Sequence, residues 1–268
     1  MSALFFHEPI MFSDSFLLSR YYCRGEIMNF KNLAWDSFFF DCSVVCLNID
    51  DNCSLGELKD FCAGQQSFDV CYIFNHSQTG EFDQYLTELG AVLYDQKVTF
   101  CKTLSQAGEC SVSEVVELTS PTQEIIALAI SSGINSRFYL DPHFRSKQSA
   151  LYERWIMNCF ENPNGKVFGI YRSGILAAVA GATFADQGGH LELIAVDSRF
   201  RRLGMAKKLI DAVENFYADN SNHYAEIITQ KNNLPACATY KACGYSLKEC
   251  VEIWHLWKTN LQNRIGDI

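Results

Sequence analysis

The chain has 268 residues and a mass of 30.4 kDa, with 48% hydrophobic and 20% charged residues, so long disorder is excluded and there is core material for one large domain or two modest ones. Its 22 basic and 31 acidic residues give a formal net charge of −9 and no Lys/Arg run, which argues against a nucleic-acid partner. Twelve cysteines are spread between Cys23 and Cys250 without a CxxC pair. The nearest two, Cys42 and Cys46, have no His-x-x-x-His companion, so no metal is expected and the thiols read as mostly buried in a reducing cytoplasm.

The N-terminus carries Glu8 and Asp14 and lacks a basic leader, so no targeting signal is read there. The longest mild apolar run, 174–184, is shorter than the roughly 20 residues a bilayer requires. A soluble, cytoplasmic protein is expected. Residues 43–49 and 69–75 have strand character; 81–89 has helical spacing through Phe82, Tyr85, Leu86 and Leu89, stopped by Gly90; 91–104 reads as one or two strands. Residues 104–113 are poor in large apolar side chains and read as a linker. Beyond it, Pro121 opens a helix to 130, and a second helix over 147–160 aligns Leu151, Trp155 and Cys159. Strands at 166–171 and 175–184 flank a turn at Arg172, Ser173 and Gly174. A strand at 190–196, a helix at 204–217, a strand at 224–229, a helix at 234–243 and two strands within 245–257 follow. Alternation of this kind predicts an α/β sheet with parallel neighbours. The order strand, helix, glycine, strand at 69–103 recurs at 224–257, a candidate internal repeat.

The chemistry concentrates in 191–210. A strand ends at Val196, a short loop carries Arg201, Arg202 and Gly204, and a helix begins at once. Backbone N–H groups at such a turn, with the helix dipole behind them, form a cradle for a diphosphate. Gly204 lets the backbone come close and small Ala206 does nearly the same. Neither a P-loop nor a GxGxxG fingerprint is present. Val196, Phe200, Arg201, Gly204 and Ala206 resemble motif A of the GNAT acetyltransferases; the departures are Ser198 at a common proline and Arg202 at a common glycine. A second block, with Asn233, Ala236, Tyr240, Gly244 and Tyr245, resembles the block that follows in the same family.

The resemblance covers about 113–258 and implies a GNAT acyltransferase fold, a mixed twisted sheet flanked by helices, over 109–268. Residues 1–108 are then a smaller N-terminal α/β domain, a candidate partial GNAT-like repeat, helping to form the acceptor site. It also implies direct attack of an amine on acetyl-CoA. In that reading the backbone of Ile194, Ala195 and Val196 pairs with the pantetheine. Arg201, Arg202, Leu203, Gly204, Met205, Ala206 and Lys207 hold the diphosphate. Asn233 caps its helix and faces the pantetheine, and Tyr240 protonates the leaving thiolate. A strand N–H stabilises the oxyanion. Aliphatic amines have pKa values of about 8 to 10, so a proton acceptor is useful. His190 and Glu192 lie at i, i+2 of one strand face; Glu192 is the first choice, and a polar pair at the core edge is the alternative.

For the acceptor, Asn32 to Phe40 and Asn135 to Phe144, with Tyr152 and Trp155 after them, resemble the dTDP-fucosamine acetyltransferase branch of the family. That branch acetylates the 4-amino group of a nucleotide-linked deoxyamino sugar for surface polysaccharide. The likeness makes Arg137, Phe138, Asp141 and Trp35 substrate-binding candidates, with Arg137 a cation on a flexible segment; a turn at Asp141 and Pro142 over a plugged core is the competing reading. Cys42 departs from a common glycine. The rival acceptors are a protein or peptide amine and a small free amine, which the acidic charge would attract. A non-catalytic acetyl-CoA-binding module is a further alternative, against which Gly204, Asn233 and Tyr240 stand. An exposed strand edge is compatible with a homodimer.

Overall fold

The computed structural model describes residues 30–64, 67–77, 79–104, 114–185 and 188–260. The N-terminal segment through residue 29 and most of the expected linker lie outside the described residues. In chain order the elements are β1 (Phe30–Asn32), α1 (Ala34–Phe40), β2 (Val44–Ile49), α2 (Leu55–Ala63), β3 (Val70–Asn75), α3 (Asp83–Glu88) and β4 (Val92–Thr103). Then come β5 (Val115–Leu118), α4 (Gln123–Ser132), α5 (Arg137–Leu140), α6 (Gln148–Glu161), β6 (Gly165–Arg172), β7 (Ile175–Ala185) and β8 (Gly188–Val196). The last are α7 (Met205–Asp219), β9 (Tyr224–Gln230), α8 (Leu234–Ala242) and β10 (Ser246–Trp257).

Three expectations need correction. The helix read from Pro121 begins after Thr122, whose hydroxyl accepts from the Ile125 N–H at 3.4 Å; the side-chain cap, and not the proline, sets the start. The stretch 245–257 is one strand of 12 residues. Among the described cysteines only Cys46, Cys62, Cys71, Cys159 and Cys243 are buried, and Cys42, Cys53, Cys101, Cys237 and Cys250 are half-buried.

The chain divides into two compact units, residues 1–93 with 251–268, and residues 94–250. In the first, β1 runs antiparallel to β2, and β2 parallel to β3 in unbroken register from Val44↔Val70 to Ile49↔Asn75. The far half of β10 closes it antiparallel to β3, from Glu252↔Asn75 to Trp257↔Val70. Leu58, Phe82, Leu86 and Trp254 pack with Leu47, Ile49 and Ile73 in its core. Ser54 and Glu57 cap α2 reciprocally: the Ser54 N–H and hydroxyl donate to Glu57 Oε2 at 2.7 and 2.8 Å, and the Glu57 N–H donates to Ser54 Oγ at 3.2 Å.

In the second unit the strand order is β4-β9-β8-β7-β6-β5, with the near half of β10 beside β4. Among the described residues of this unit β8 and β9 pair in parallel, whereas β4 with β9, β5 with β6, β6 with β7 and β7 with β8 run antiparallel. The hairpin between β6 and β7 turns through Ser173 (φ 51°) and Gly174 (φ 79°), a left-handed pair that matches strand twist. Helix α7 covers one face. Its Leu209, Ile210, Val213, Phe216 and Tyr217 are buried with Ala180 and Ala182 of β7 in a single cluster, each large side chain contributing about 1.5–3 kcal/mol. Gly181, between those alanines, points to the other face, where a Cβ would stand 2.8 Å from Cys159 Sγ of α6. Helices therefore cover both faces of the second sheet.

Candidate active site

The chain leaves β8 at Val196 through an aspartate turn. Asp197 Oδ1 accepts from the Arg199 N–H at 2.9 Å, and the Arg199 guanidinium holds the Asp197 carboxyl down to about 2. Arg201 Nε donates to the Val196 carbonyl at 3.3 Å. Arg202 then adopts φ 64° and Gly204 φ 75°, and α7 starts at Met205. The Lys208 N–H donates to Gly204 O at 3.2 Å, and no side chain caps the terminus. The N–H groups of Met205, Ala206 and Lys207 are thus available to a ligand at the positive end of a 15-residue helix. A Cβ at Gly204 would meet nothing within 4 Å, so this backbone faces open space. Arg201, Arg202 and Leu203 are exposed around it, whereas the Met205 side chain is core and only its backbone faces the cradle. A residue at position 202 must take a left-handed φ; with Arg there the geometry is kept, at a strain of about 1–2 kcal/mol.

β8 and β9 pair only over Gly189↔Ala225, His190↔Glu226 and Leu191↔Ile227, and then diverge although both strands continue. The divergence begins at a β-bulge: Leu191 faces Ala182 and Leu193 faces Gly181, leaving Glu192 as the extra residue. Past it, the backbone of Ile194, Ala195 and Val196 has lost its β9 partner and retains β7. An extended arm with amide groups fits such an opening by forming strand-like hydrogen bonds.

Glu192 accepts from Thr183 Oγ1 at 2.6 Å. His190 is buried, with Nδ1 3.9 Å from Glu226 Oε2. Burial acts to raise the Glu226 carboxyl, but hydrogen bonds from Lys248 and Tyr224, with the charges of Lys248 and His190, hold it below the usual range. Tyr240, on α8, is buried with its ring 5.8 Å from Phe100 and in one cluster with Met205 and Ile227. Burial pushes its phenol well above the ordinary tyrosine range, so it stays protonated at neutral pH. Asn233 occupies the N-cap position of α8, but the expected side-chain cap is absent: its amide donates to Thr229 Oγ1 at 3.2 Å. A proline in the first turn of α8 fixes the helix start instead.

In 135–144 Arg137 and Phe138 lie in α5, and Arg137, Phe138 and Asp141 are all buried. Arg137 is therefore a core cation and not one on a flexible segment, a correction to the sequence reading. Asp141 Oδ1 accepts from the His143 N–H at 3.0 Å and lies 2.9 Å from His143 Nδ1. Phe138 meets Phe144 edge to face at 6.1 Å. The exposed residues of this segment are Asn135, Tyr139, Leu140, Pro142 and His143, with the Arg145 guanidinium 5.1 Å from the Tyr139 ring. Trp35, in the first unit, stacks on Phe39 at 4.9 Å. Sequence reasoning missed Asp95 and Lys97 on β4, which periodicity alone does not mark: Lys97 is buried, and Asp95 Oδ1 is sealed from solvent. Among the described residues no three His, Cys, Asp or Glu side chains form a metal-holding group, and no helix is long and apolar enough to cross a membrane.

Residues 128–245, which run from α4 through the cradle to the end of the α8 block, match the Acetyltransferase (GNAT) family. The matched stretch lies within the second unit and marks the chain as an N-acetyltransferase. Its donor is acetyl-CoA and its acceptor an amine. A conserved protein of unknown function from Staphylococcus epidermidis shares the fold at TM-score 0.57, with 9% identity over 90% of this chain and 97% of its own. A Drosophila protein does so at 0.51, with 17% identity over 88% and 77%. A GNAT acetyltransferase from Colwellia psychrerythraea superposes at 0.48, with 12% identity over 88% and 84%. At these identities the first two likenesses speak to the fold alone, and the acceptor has to be argued from the residues of this chain.

Proposed function

We propose that this GNAT enzyme acetylates a primary amine on a nucleotide-linked deoxyamino sugar by direct attack on acetyl-CoA. The donor half of the reading is supported by one arrangement: an uncapped, open helix terminus at Gly204 beside the strand opening at 192–196. The diphosphate lies on the N–H groups of 205–207, with Arg201 and Arg202 adding charge. The pantetheine runs along 194–196 and brings the thioester to the opening. Tyr240 gives its proton to the leaving sulfur; burial keeps the phenol protonated at neutral pH, which is the donating form.

The acceptor half is supported by the likeness of 135–144 to enzymes of 4-amino sugars and by the exposed Tyr139 and Arg145 of that segment. An aromatic face and a guanidinium suit a base and a diphosphate. Arg137, Phe138 and Asp141 hold the segment's shape from beneath. The test is a panel of acceptors incubated with acetyl-CoA and read by product mass. A nucleotide-linked 4-amino sugar should be acetylated with the highest kcat/KM. Acetylation confined to peptides or polyamines, which the net charge of −9 would favour, rejects the sugar reading.

A further inference from the structure

We propose that Asp95 takes the proton from the acceptor amine. The proposal rests on acetyl transfer itself and not on which amine is the acceptor. β4 runs antiparallel to β9 with Lys97↔Gln230 and Thr99↔Ile228, and the Lys231 N–H donates to Gln96 O at 2.7 Å. The first residues of β4 therefore lie beyond the end of β9, level with the stretch where β9 has left β8. Alternation sets Val98 and Phe100 in the α7-side cluster and turns Asp95, Lys97 and Thr99 to the opposite face. Tyr240 belongs to the α7-side cluster. Acid and base thus stand on opposite faces of the sheet with the opening between them.

Charged and titratable groups from several elements converge on Asp95. Arg137 of α5 and Lys97 of β4 act on its carboxyl, and Asp95 acts in turn on Tyr152 of α6. Behind Lys97 stand Glu249 of β10 and Glu226 of β9. Asp95 Oδ1 is buried and has no hydrogen-bond partner among the described residues. A structural carboxylate in such a place would be hydrogen-bonded, because an unpaired buried charge is costly. Burial pushes its carboxyl up to about 7, against the pull of Arg137 and Lys97. Burial likewise lowers the Lys97 ammonium to about 8.

The acceptor ammonium gives one proton to the Asp95 carboxylate, and the neutral nitrogen bonds to the thioester carbon. The C–S bond breaks as sulfur takes the Tyr240 proton. The nitrogen loses its second proton, which restores the tyrosine through solvent, and Asp95 releases the first to bulk water.

The experiment compares wild type with Asp95→Asn. In the wild type, kcat/KM should rise with pH and level off above about 7, since the carboxylate is the active form. In Asp95→Asn it should fall by ~10²–10⁴-fold. The residual rate should climb about tenfold per pH unit toward the pKa of the amine, with acetyl-CoA affinity unchanged. Lys97→Met should move the wild-type limb to higher pH. An unaltered limb in Asp95→Asn, or parallel loss of acetyl-CoA binding and turnover, overturns the proposal. A readout that needs neither substrate nor a folded variant is the carbon-13 titration of the aspartate carboxyls in the wild type. A buried aspartate signal titrating near 7 supports the assignment, and none above about 5 rejects it. Failure of the sugar panel leaves this titration decisive.

Discussion

The units contain the same βαβ arrangement twice, and only one copy is open. In β2-α2-β3 the parallel strands stay paired over six positions, and the helix terminus is filled by its own Ser54–Glu57 box. In β8-α7-β9 the pairing stops after three positions at the Glu192 bulge, and the helix terminus is bare behind Gly204. The N-terminal N–H groups of a helix have to be satisfied somehow. In the first unit a local carboxylate does so and repels any phosphate. In the second they remain for a ligand. In the proposed reading a shared topology does not carry acetyl-CoA binding; one bulge and one missing cap do.

That contrast can be broken by substitution. Gly204→Glu, which adds both a Cβ at a left-handed φ and a negative charge in the cradle, should weaken acetyl-CoA binding by roughly a hundredfold or more, since losing charge-assisted bonds costs about 1.5–3 kcal/mol on top of strain of about 1–2. Calorimetry checks it, and unchanged affinity would remove the cradle. Tyr240→Phe should lower kcat by ~10²-fold or more while the acetyl-CoA Kd stays within about twofold. Equal losses in both would make Tyr240 a packing residue. In the other copy, Ser54→Ala should cost about 1 kcal/mol in denaturant unfolding and confer no acetyl-CoA binding, because β2 and β3 remain zipped. Smallest, Arg202→Gly should stabilise the fold by up to about 1 kcal/mol by relieving the left-handed strain, and weaken acetyl-CoA binding by removing a cation.

A pH prediction separates the open site from ordinary core. The Asp95 carboxyl is raised in the folded state, so its favourable contribution to stability is complete below the unfolded value of about 4 and is lost as pH rises through about 7. The Tm of Asp95→Asn should exceed that of wild type at pH 8 and match it near pH 4. Equal gains at both values would mean that the substitution acts by packing alone.

Much of the second unit was legible because its signals are local. Gly204 before a helical stripe, the left-handed pair at Ser173 and Gly174, and the run through Leu209, Val213 and Phe216 each need only a few neighbours in sequence. The Ser54-x-x-Glu57 box was equally local and marks α2, which the apolar pattern alone left unseen. The bulge at Glu192 was not legible, since it arises from register with β7 across the sheet. Nor was the burial of Arg137 and of Asp95 Oδ1: charged residues read as solvated until tertiary partners surround them.

The closing strand of the first unit has a consequence for biosynthesis. Asn75 hydrogen-bonds Glu252, 177 positions further along the chain, and the β3–β10 ladder is built from such distant pairs. At synthesis rates of about 5–20 residues per second, one edge of β3 waits many seconds for its neighbour to be made. During that interval the fully buried side chains of β3 have no lasting cover, and its backbone is a template for any passing strand. The first unit to be translated is thus the last to be finished, and a stop codon after Cys250 should damage the beginning of the protein more than its middle.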